Sequence, residues 1–208
     1  MTRRGVYPGS FNPPTVAHLA IADAARVQRS LDVVHLAVSR RALNKEHIER
    51  PRLAHRLDVL RRLASRIEWL DVVLTDAQLL VDIADGYDVL VLGADKWEQV
   101  LDTQYYDDSP LLRDAAVARL PELAIAPRVG SGSVASARLE QQLAVPAHLG
   151  LVSSTQARAG DLAVMVQEAA EFDSLSGAWT DPQRYDKWLL SQTIAPGEAT
   201  RIAPGEAT

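Results

Sequence analysis

Residues 7–18 read YPGSFNPPTVAH, between a short apolar run (residues 4–7, RGVY) and an Ala- and Leu-rich stretch (residues 15–28). The reading of this stretch decides the fold. Pro13 and Pro14 end any strand and set an extended path into the next element. Thr15 is a good N-cap, so a helix starts behind it and His18 becomes its third residue, on the same side as Thr15. Gly9 lets the backbone approach a ligand, and a turn of this kind presents amide N–H groups. The helix start adds partial positive charge. Together the residues form a strand, a phosphate cradle with one imidazole donor, and a helix. A plain strand-to-helix turn with a surface histidine uses the same residues.

Working outward, the strand–loop–helix unit repeats. Residues 31–38 (LDVVHLAV) are a β-branched apolar strand. Residues 39–52 are polar and basic and read as a loop. Residues 53–66 place Leu53, Leu57, Leu60 and Leu63 at the helical period. A strand over 67–74 and a short helix over 76–84 come after it. YDVLVL at 87–92 is the most strand-like run and ends in Gly93-Ala94-Asp95. A helix from about Lys96, a polar loop, and a helix over 111–119 come next. Residues 123–126 and 149–152 read as two more buried strands, and residues 134–143 and 161–171 as helices. Continuous apolar strands alternating with helices predict a parallel sheet covered on both faces. Such sheets bind ligands beyond the carboxyl ends of the strands, where the loops after residues 7 and 92 should meet.

Composition bounds the function. The chain has 208 residues, 47% apolar and 24% charged, which suits one soluble globular domain. There is no cysteine, so disulfides, thiolate metal sites and cysteine nucleophiles are excluded. No long apolar run predicts a membrane span, and no leader is read at residues 1–11. A cytoplasmic protein that binds neither membranes nor nucleic acid is expected, the latter from the net charge of −5. The stretch from residue 40 to 66 is nonetheless basic, which suggests a small anionic ligand or a solvated helix face. Domain organisation is read as residues 1–190 in one domain. Residues 191–208 are read as a disordered tail in which IAPGEAT occurs twice.

A second element lies near the end. Residues 151–158 read LVSSTQAR. Ser154 or Thr155 can cap a helix behind it, and Arg158 then leans back beside the hydroxyls as an anion-matching group. Simple capping explains Ser153, Ser154 and Thr155 equally well when they are taken alone.

PGSFNPPTVAH together with SSTQAR resembles the HxGH nucleotidyltransferase superfamily, over roughly residues 3–172. GSFNPPTVAHL and the Gly93-Ala94-Asp95 segment are most similar to the nicotinamide and nicotinate mononucleotide adenylyltransferases. Thr15 stands for the first histidine of the motif and Ala17 for its glycine. The resemblance implies a Rossmann-like doubly wound parallel sheet with helices on both faces. It implies transfer of AMP from ATP to a pyridine mononucleotide, with release of pyrophosphate. His18, Thr15 and Arg158 would be catalytic, with His18 and Thr15 donating to ATP phosphate oxygens. Gly9, Ser10, Phe11, Gly93, Asp95, Ser153, Ser154 and Thr155 would bind ATP and its phosphates, Asp95 through the ribose unless it only caps the next helix. Lys45 and Trp97 would bind the acceptor, Trp97 by stacking on its ring.

Mg²⁺ is expected to arrive on the ATP phosphates, with no carboxylate cage in the sequence to hold it. The partners are then ATP and a small phosphorylated nucleotide, with homo-oligomerisation left open. Arg52 and Arg56 read as solvated helix arginines, and Phe11 equally as core. His35 reads as a satisfied core histidine. Tyr105 to Asp108 read as a loop over the site or an oligomer contact. The G-x-G-x-x-A at 130–135 lacks the acidic residue of a dinucleotide fingerprint and reads as a loop. Trp179, Tyr185 and Trp188 read as one face of a C-terminal helix. A related nucleotidyltransferase with another phosphorylated acceptor, or a non-catalytic nucleotide-binding protein, are the alternatives.

Overall fold

The computed structural model describes residues 1–40, 50–127 and 139–194. Five strands, β1 (Arg4–Pro8), β2 (Val33–Ser39), β3 (Leu70–Thr75), β4 (Val89–Gly93) and β5 (Glu122–Ala126), form one sheet in the order β3-β2-β1-β4-β5. Every neighbouring pair is parallel. The continuous apolar strands foretold this, since both faces need cover.

Alternate residues feed two cores, as the strand pleat requires. Tyr7, Val89, Val91, Ala124 and Ala126 point to one face. There they meet helices α1 (Val16–Gln28) and α2 (Leu53–Ala64), with Ala22, Ala25, Leu57 and Leu60 packed inward. Val6, Leu90, Leu92, Leu123 and Ile125 point to the other face. It is covered by α3 (Leu80–Ile83), α4 (Ala94–Leu101) and α5 (Pro110–Val117). The result is a Rossmann-like α/β fold. The chain leaves β1 toward β2 and later returns to place β4 on β1's other side. The crevice beyond β1 and β4 is therefore the switch point.

The chain after β5 departs from expectation. Residues 149–152 form no strand. Ala147–Leu151 is a 3₁₀ helix behind Pro146, and Leu151 is 67% exposed. Four apolar residues, one of them glycine, do not suffice for a strand without a sheet edge to receive them. Of the helix expected over 134–143, residues 139–141 form a 3₁₀ turn, and 134–138 lie outside the described residues. The helix expected over 161–171 is broken. Leu162–Val164 is 3₁₀, Met165 is extended, and the next helix, after α6 (Ser154–Arg158), is α7 (Gln167–Ser176). The break has a tertiary cause. Met165 bridges Thr15, and the Val166 N–H donates to the Pro14 carbonyl at 3.2 Å. The short helix expected over 76–84 is confined to α3.

Helix α8 spans Pro182–Ile194, so regular structure continues four residues into the segment read as tail. Tyr185, fully buried, and Trp188 pack with His55, Phe172 and Trp179 as an aromatic cluster. Among the described residues no helix is long and apolar enough to cross a membrane.

Candidate functional site

The crevice at the switch point is a cleft of about 700 Å³. Its floor is the end of β1 and the loop behind it. Its walls come from the start of α1, the start of α4, and the 150–158 segment.

The start of α1 is a capping box in which histidine takes the place usually held by glutamate or glutamine. The Thr15 hydroxyl accepts from the His18 backbone N–H at 3.4 Å, and the Thr15 backbone N–H donates to His18 Nδ1 at 3.0 Å. The hydroxyl also lies 2.8 Å from that nitrogen. Because a backbone N–H points at Nδ1, Nδ1 is an acceptor, and the neutral ring carries its proton on Nε2. The Phe11 ring meets the imidazole edge-on at 5.2 Å between centroids, which further fixes its plane. His18 thus enters the cleft with one tautomer and one orientation.

Thr15 lines the cleft, and its contacts in the structure are with His18. It is 1% exposed and its hydroxyl is engaged with His18, so it holds the histidine in place. Gly9 also serves a different purpose. A Cβ there would come within 2.9 Å of the Phe11 ring, so the close approach that requires glycine is made by a side chain. Phe11 itself is buried core, with its backbone in the left-handed region at φ 45°.

The loop's carbonyls are held by the protein. Ser10 accepts from Arg56 Nη1 at 2.9 Å, Asn12 from Arg158 Nη1, Pro13 from Ser154 Oγ at 2.9 Å, and Pro14 from Val166 N. The Gly9 N–H is spent on the Ala37 carbonyl at 3.0 Å. The N–H groups of Ser10, Phe11 and Asn12 have no acceptor among the described residues. A loop with its acceptors tied back and successive donors left over favours an anion.

Arg158 closes the opposite wall. Its guanidinium reaches the Asn12 carbonyl and, at 3.1 Å, Thr155 Oγ1, which joins the two motifs across the cleft. Ser153, rather than Ser154 or Thr155, caps α6, accepting from the Gln156 N–H at 3.1 Å. All three hydroxyl residues line the cleft. Ser154 spends its proton on Pro13.

Gly93 and Asp95 also line it. Helix α4 starts at Ala94 with Gly93 as N-cap, so Asp95 sits in the first turn and is not the cap. Its carboxylate folds back over Gly93, where a Cβ would lie 2.7 Å from Oδ1.

Two cleft cations are not singled out by the sequence. Lys96 lines the cleft with Nζ on Gln99 Oε1 at 2.9 Å. Arg50 lines it too and is forked onto Asp186 of α8 at 3.1 and 2.6 Å. Arg50 belongs to the basic run at 40–66, where nothing local distinguishes it from its neighbours. Among the described residues that line the cleft, Arg50, Lys96 and Arg158 stand against one carboxylate, Asp95, so even with Arg50 paired to Asp186 this lining is locally cationic in an acidic chain.

Other expectations fail. Trp97 is 6% exposed and packs in the core beneath α4, away from the cleft, because the period of α4 turns it toward the sheet. Arg56 is not solvated. It is 6% exposed, because the turn of α2 that carries it packs under the first loop. Of the segment Tyr105 to Asp108, Tyr106 is buried with its hydroxyl on the Val100 carbonyl at 3.0 Å, and none of the four residues lines the cleft. Lys45 and the 130–135 segment lie outside the described residues. His35 is satisfied as expected, with Nδ1 at 2.9 Å from the Tyr87 hydroxyl.

A family model described as cytidylyltransferase-like matches residues 6–160. That span begins in β1 and ends just past Arg158, so it contains both motifs, the last three residues of β1 and the other four strands. No curated protein matches the chain.

Proposed function

The chain belongs to the cytidylyltransferase-like family of nucleotidyltransferases, and from that premise we propose that it transfers AMP from ATP to nicotinamide or nicotinate mononucleotide, releasing pyrophosphate. The observation that carries the reading is the meeting of His18 and Arg158, far apart in sequence, on one cationic cleft around a loop with N–H groups to spare. The GSFNPPTVAHL resemblance supplies the acceptor class.

The chemistry fits these groups. A phosphate monoester is close to doubly ionised at neutral pH, so its oxygen attacks the α-phosphorus without a general base. One P–O bond forms, the bond to the bridging oxygen breaks, and pyrophosphate departs with the electron pair. The protein must align the two phosphates and offset charge on the non-bridging and leaving oxygens. His18 would donate from Nε2 to an α-phosphate oxygen. The Ser10–Asn12 N–H groups would hold a second phosphate. Arg158, Lys96 and Arg50 would hold the departing pyrophosphate or the acceptor. Asp95 would receive a ribose hydroxyl.

The donor set of the cleft, one carboxylate and several hydroxyls, suits a Mg²⁺ that enters on nucleotide phosphates. Its ligands would be mainly the phosphates and water, since the described residues hold no cluster of carboxylates or histidines for it. The ion would neutralise phosphate charge as the leaving group develops.

The burial of Trp97 favours a second reading, a phosphorylated acceptor without an aromatic ring to stack. The test incubates purified protein with Mg-ATP or Mg-CTP and, separately, nicotinamide mononucleotide, nicotinate mononucleotide or phosphopantetheine. Pyrophosphate is quantified and products are identified by mass spectrometry. A dinucleotide from ATP and either pyridine mononucleotide is expected. Product from phosphopantetheine alone selects the second reading. CTP outperforming ATP, or no product in any tube, refutes the proposal.

A further inference from the structure

Arg56, on α2, has 6% of its surface exposed. A guanidinium that deep normally faces a carboxylate, because an isolated buried cation is heavily penalised. No carboxylate pairs with it among the described residues. Its Nε is buried and has no hydrogen-bond partner among the described residues. Burial depresses its pKa, opposed by the nearby Tyr185, yet a guanidinium stays protonated. The charge is therefore real and has no compensating carboxylate among the described residues.

What it grips is the phosphate loop. Nη1 donates to the Ser10 carbonyl at 2.9 Å. Ser10 lines the cleft and Arg56 does not, so Arg56 stands behind the loop. In a trans peptide the C=O and the next N–H point in opposite directions. The Ser10–Phe11 peptide is not one of the cis bonds of the chain. Its carbonyl turned back to Arg56 sends the Phe11 N–H the other way, and that N–H has no acceptor among the described residues. Phe11 holds a left-handed φ of 45°, which a residue with a Cβ adopts only when its neighbours impose it.

We propose that Arg56 is the positioning residue of the phosphate cradle: it sets the Ser10–Phe11 peptide with its N–H toward the cleft and places a fixed positive charge behind it, which a bound phosphate group compensates. This rests on the nucleotidyltransferase reading above. The phosphate belongs either to the nucleotide or to the acceptor, and the choice of probes separates them.

The experiment is calorimetric titration of the full chain with Mg-ATP, inorganic pyrophosphate and nicotinamide mononucleotide, each at one fixed salt concentration. Wild type is compared with Arg56→Met, Arg56→Gln and Arg56→Lys, and every variant is melted. Arg56→Met removes an unpaired buried charge and is expected to melt at or above wild type. Arg56→Gln keeps a donor for Ser10 without the charge. Both neutral variants should bind at least one probe about 10- to 100-fold more weakly, the loss expected for a hydrogen bond backed by charge. Arg56→Lys should recover part of that affinity. The probe that loses most identifies the phosphate concerned.

Neutral variants that bind every probe within about threefold of wild type overturn the proposal. So does an Arg56→Lys variant that binds no better than the neutral ones. If Arg56→Met does not fold, Arg56→Gln and Arg56→Lys decide by the same criteria. Wild-type protein that binds no probe overturns this proposal and the functional reading together, whereas binding that is blind to residue 56 overturns this one alone.

Discussion

Replacing Thr15 by valine keeps the shape and removes only the hydroxyl, so it separates two roles for this residue. In the structure the hydroxyl caps α1 by accepting from His18 N–H at a long 3.4 Å, and it lies 2.8 Å from His18 Nδ1. Loss of an N-cap costs about 0.5–2 kcal/mol, and the long distance places this one near the lower end. For a chain of this size, 1 kcal/mol corresponds to a fall in Tm of about 2–4 °C. The backbone N–H of Thr15 still donates to Nδ1 at 3.0 Å in the variant, so the tautomer survives. Turnover should then drop by about tenfold, through a looser ring, and not by the roughly 10²- to 10³-fold that accompanies loss of a transition-state donor. Pyrophosphate release under saturating substrates, with differential scanning calorimetry, measures both quantities. Thr15→Ser should restore both. If Thr15→Val leaves Tm unchanged and lowers kcat as far as His18→Ala does, the hydroxyl acts on the phosphate directly and the positioning argument is wrong.

Other expectations are simpler to check. His18→Ala should cut turnover by about a hundredfold or more while circular dichroism stays native, since the ring is the cleft donor; unchanged turnover refutes the assigned role. Trp97→Phe should leave the acceptor KM unchanged and stability unchanged or higher, because the indole Nε1 is buried without a partner among the described residues; a large rise in KM would return Trp97 to the acceptor site. Tyr185→Phe strips a buried hydroxyl that accepts from Arg52 N at 3.0 Å and lies 2.6 Å from His55 Nδ1. It should cost about 1–3 kcal/mol, read as a lower urea midpoint; an unaltered midpoint contradicts the idea that α8 clamps residues 50–55. His35 and His55 are both held below the usual histidine pKa, chiefly by burial. Their neutral forms belong to the fold, so the unfolded chain takes up protons first as pH falls past about 6.5. Their contribution is complete above that pH and is lost as pH drops through the lower folded values. Tm should decline from pH 7 to pH 5 by less in a His35→Gln, His55→Gln double variant than in wild type, and equal declines refute the assignment.

The residues that carried the fold were legible because their message is local. VLVL at 89–92 is apolar on both faces, and only a strand inside a covered parallel sheet accommodates that. Two prolines, a threonine cap and a histidine three residues on fix the entry to α1 from neighbours in sequence alone. Tertiary contacts decided the rest. Whether Trp97 faced ligand or core depended on where α4 begins, one or two residues being enough to turn a side chain away. Arg56 reads as a surface arginine because helical spacing does not say what packs on that turn, and here it is the first loop. The helix expected over 161–171 yields at Met165, where the backbone pairs with Thr15 and Val166 donates to the Pro14 carbonyl, partners that lie about 150 residues away in sequence. Arg158 was recognised from its motif, but its contact with the Asn12 carbonyl joins residues 146 positions apart, a relation no local pattern encodes. The sequence by itself determined the parallel sheet and the meeting of the loops behind β1 and β4 at the cleft, since the carboxyl ends of neighbouring parallel strands lie on one edge of the sheet. Only the tertiary structure decided which residues line the cleft and which pack behind them, because that depends on the last few ångströms of packing between distant segments.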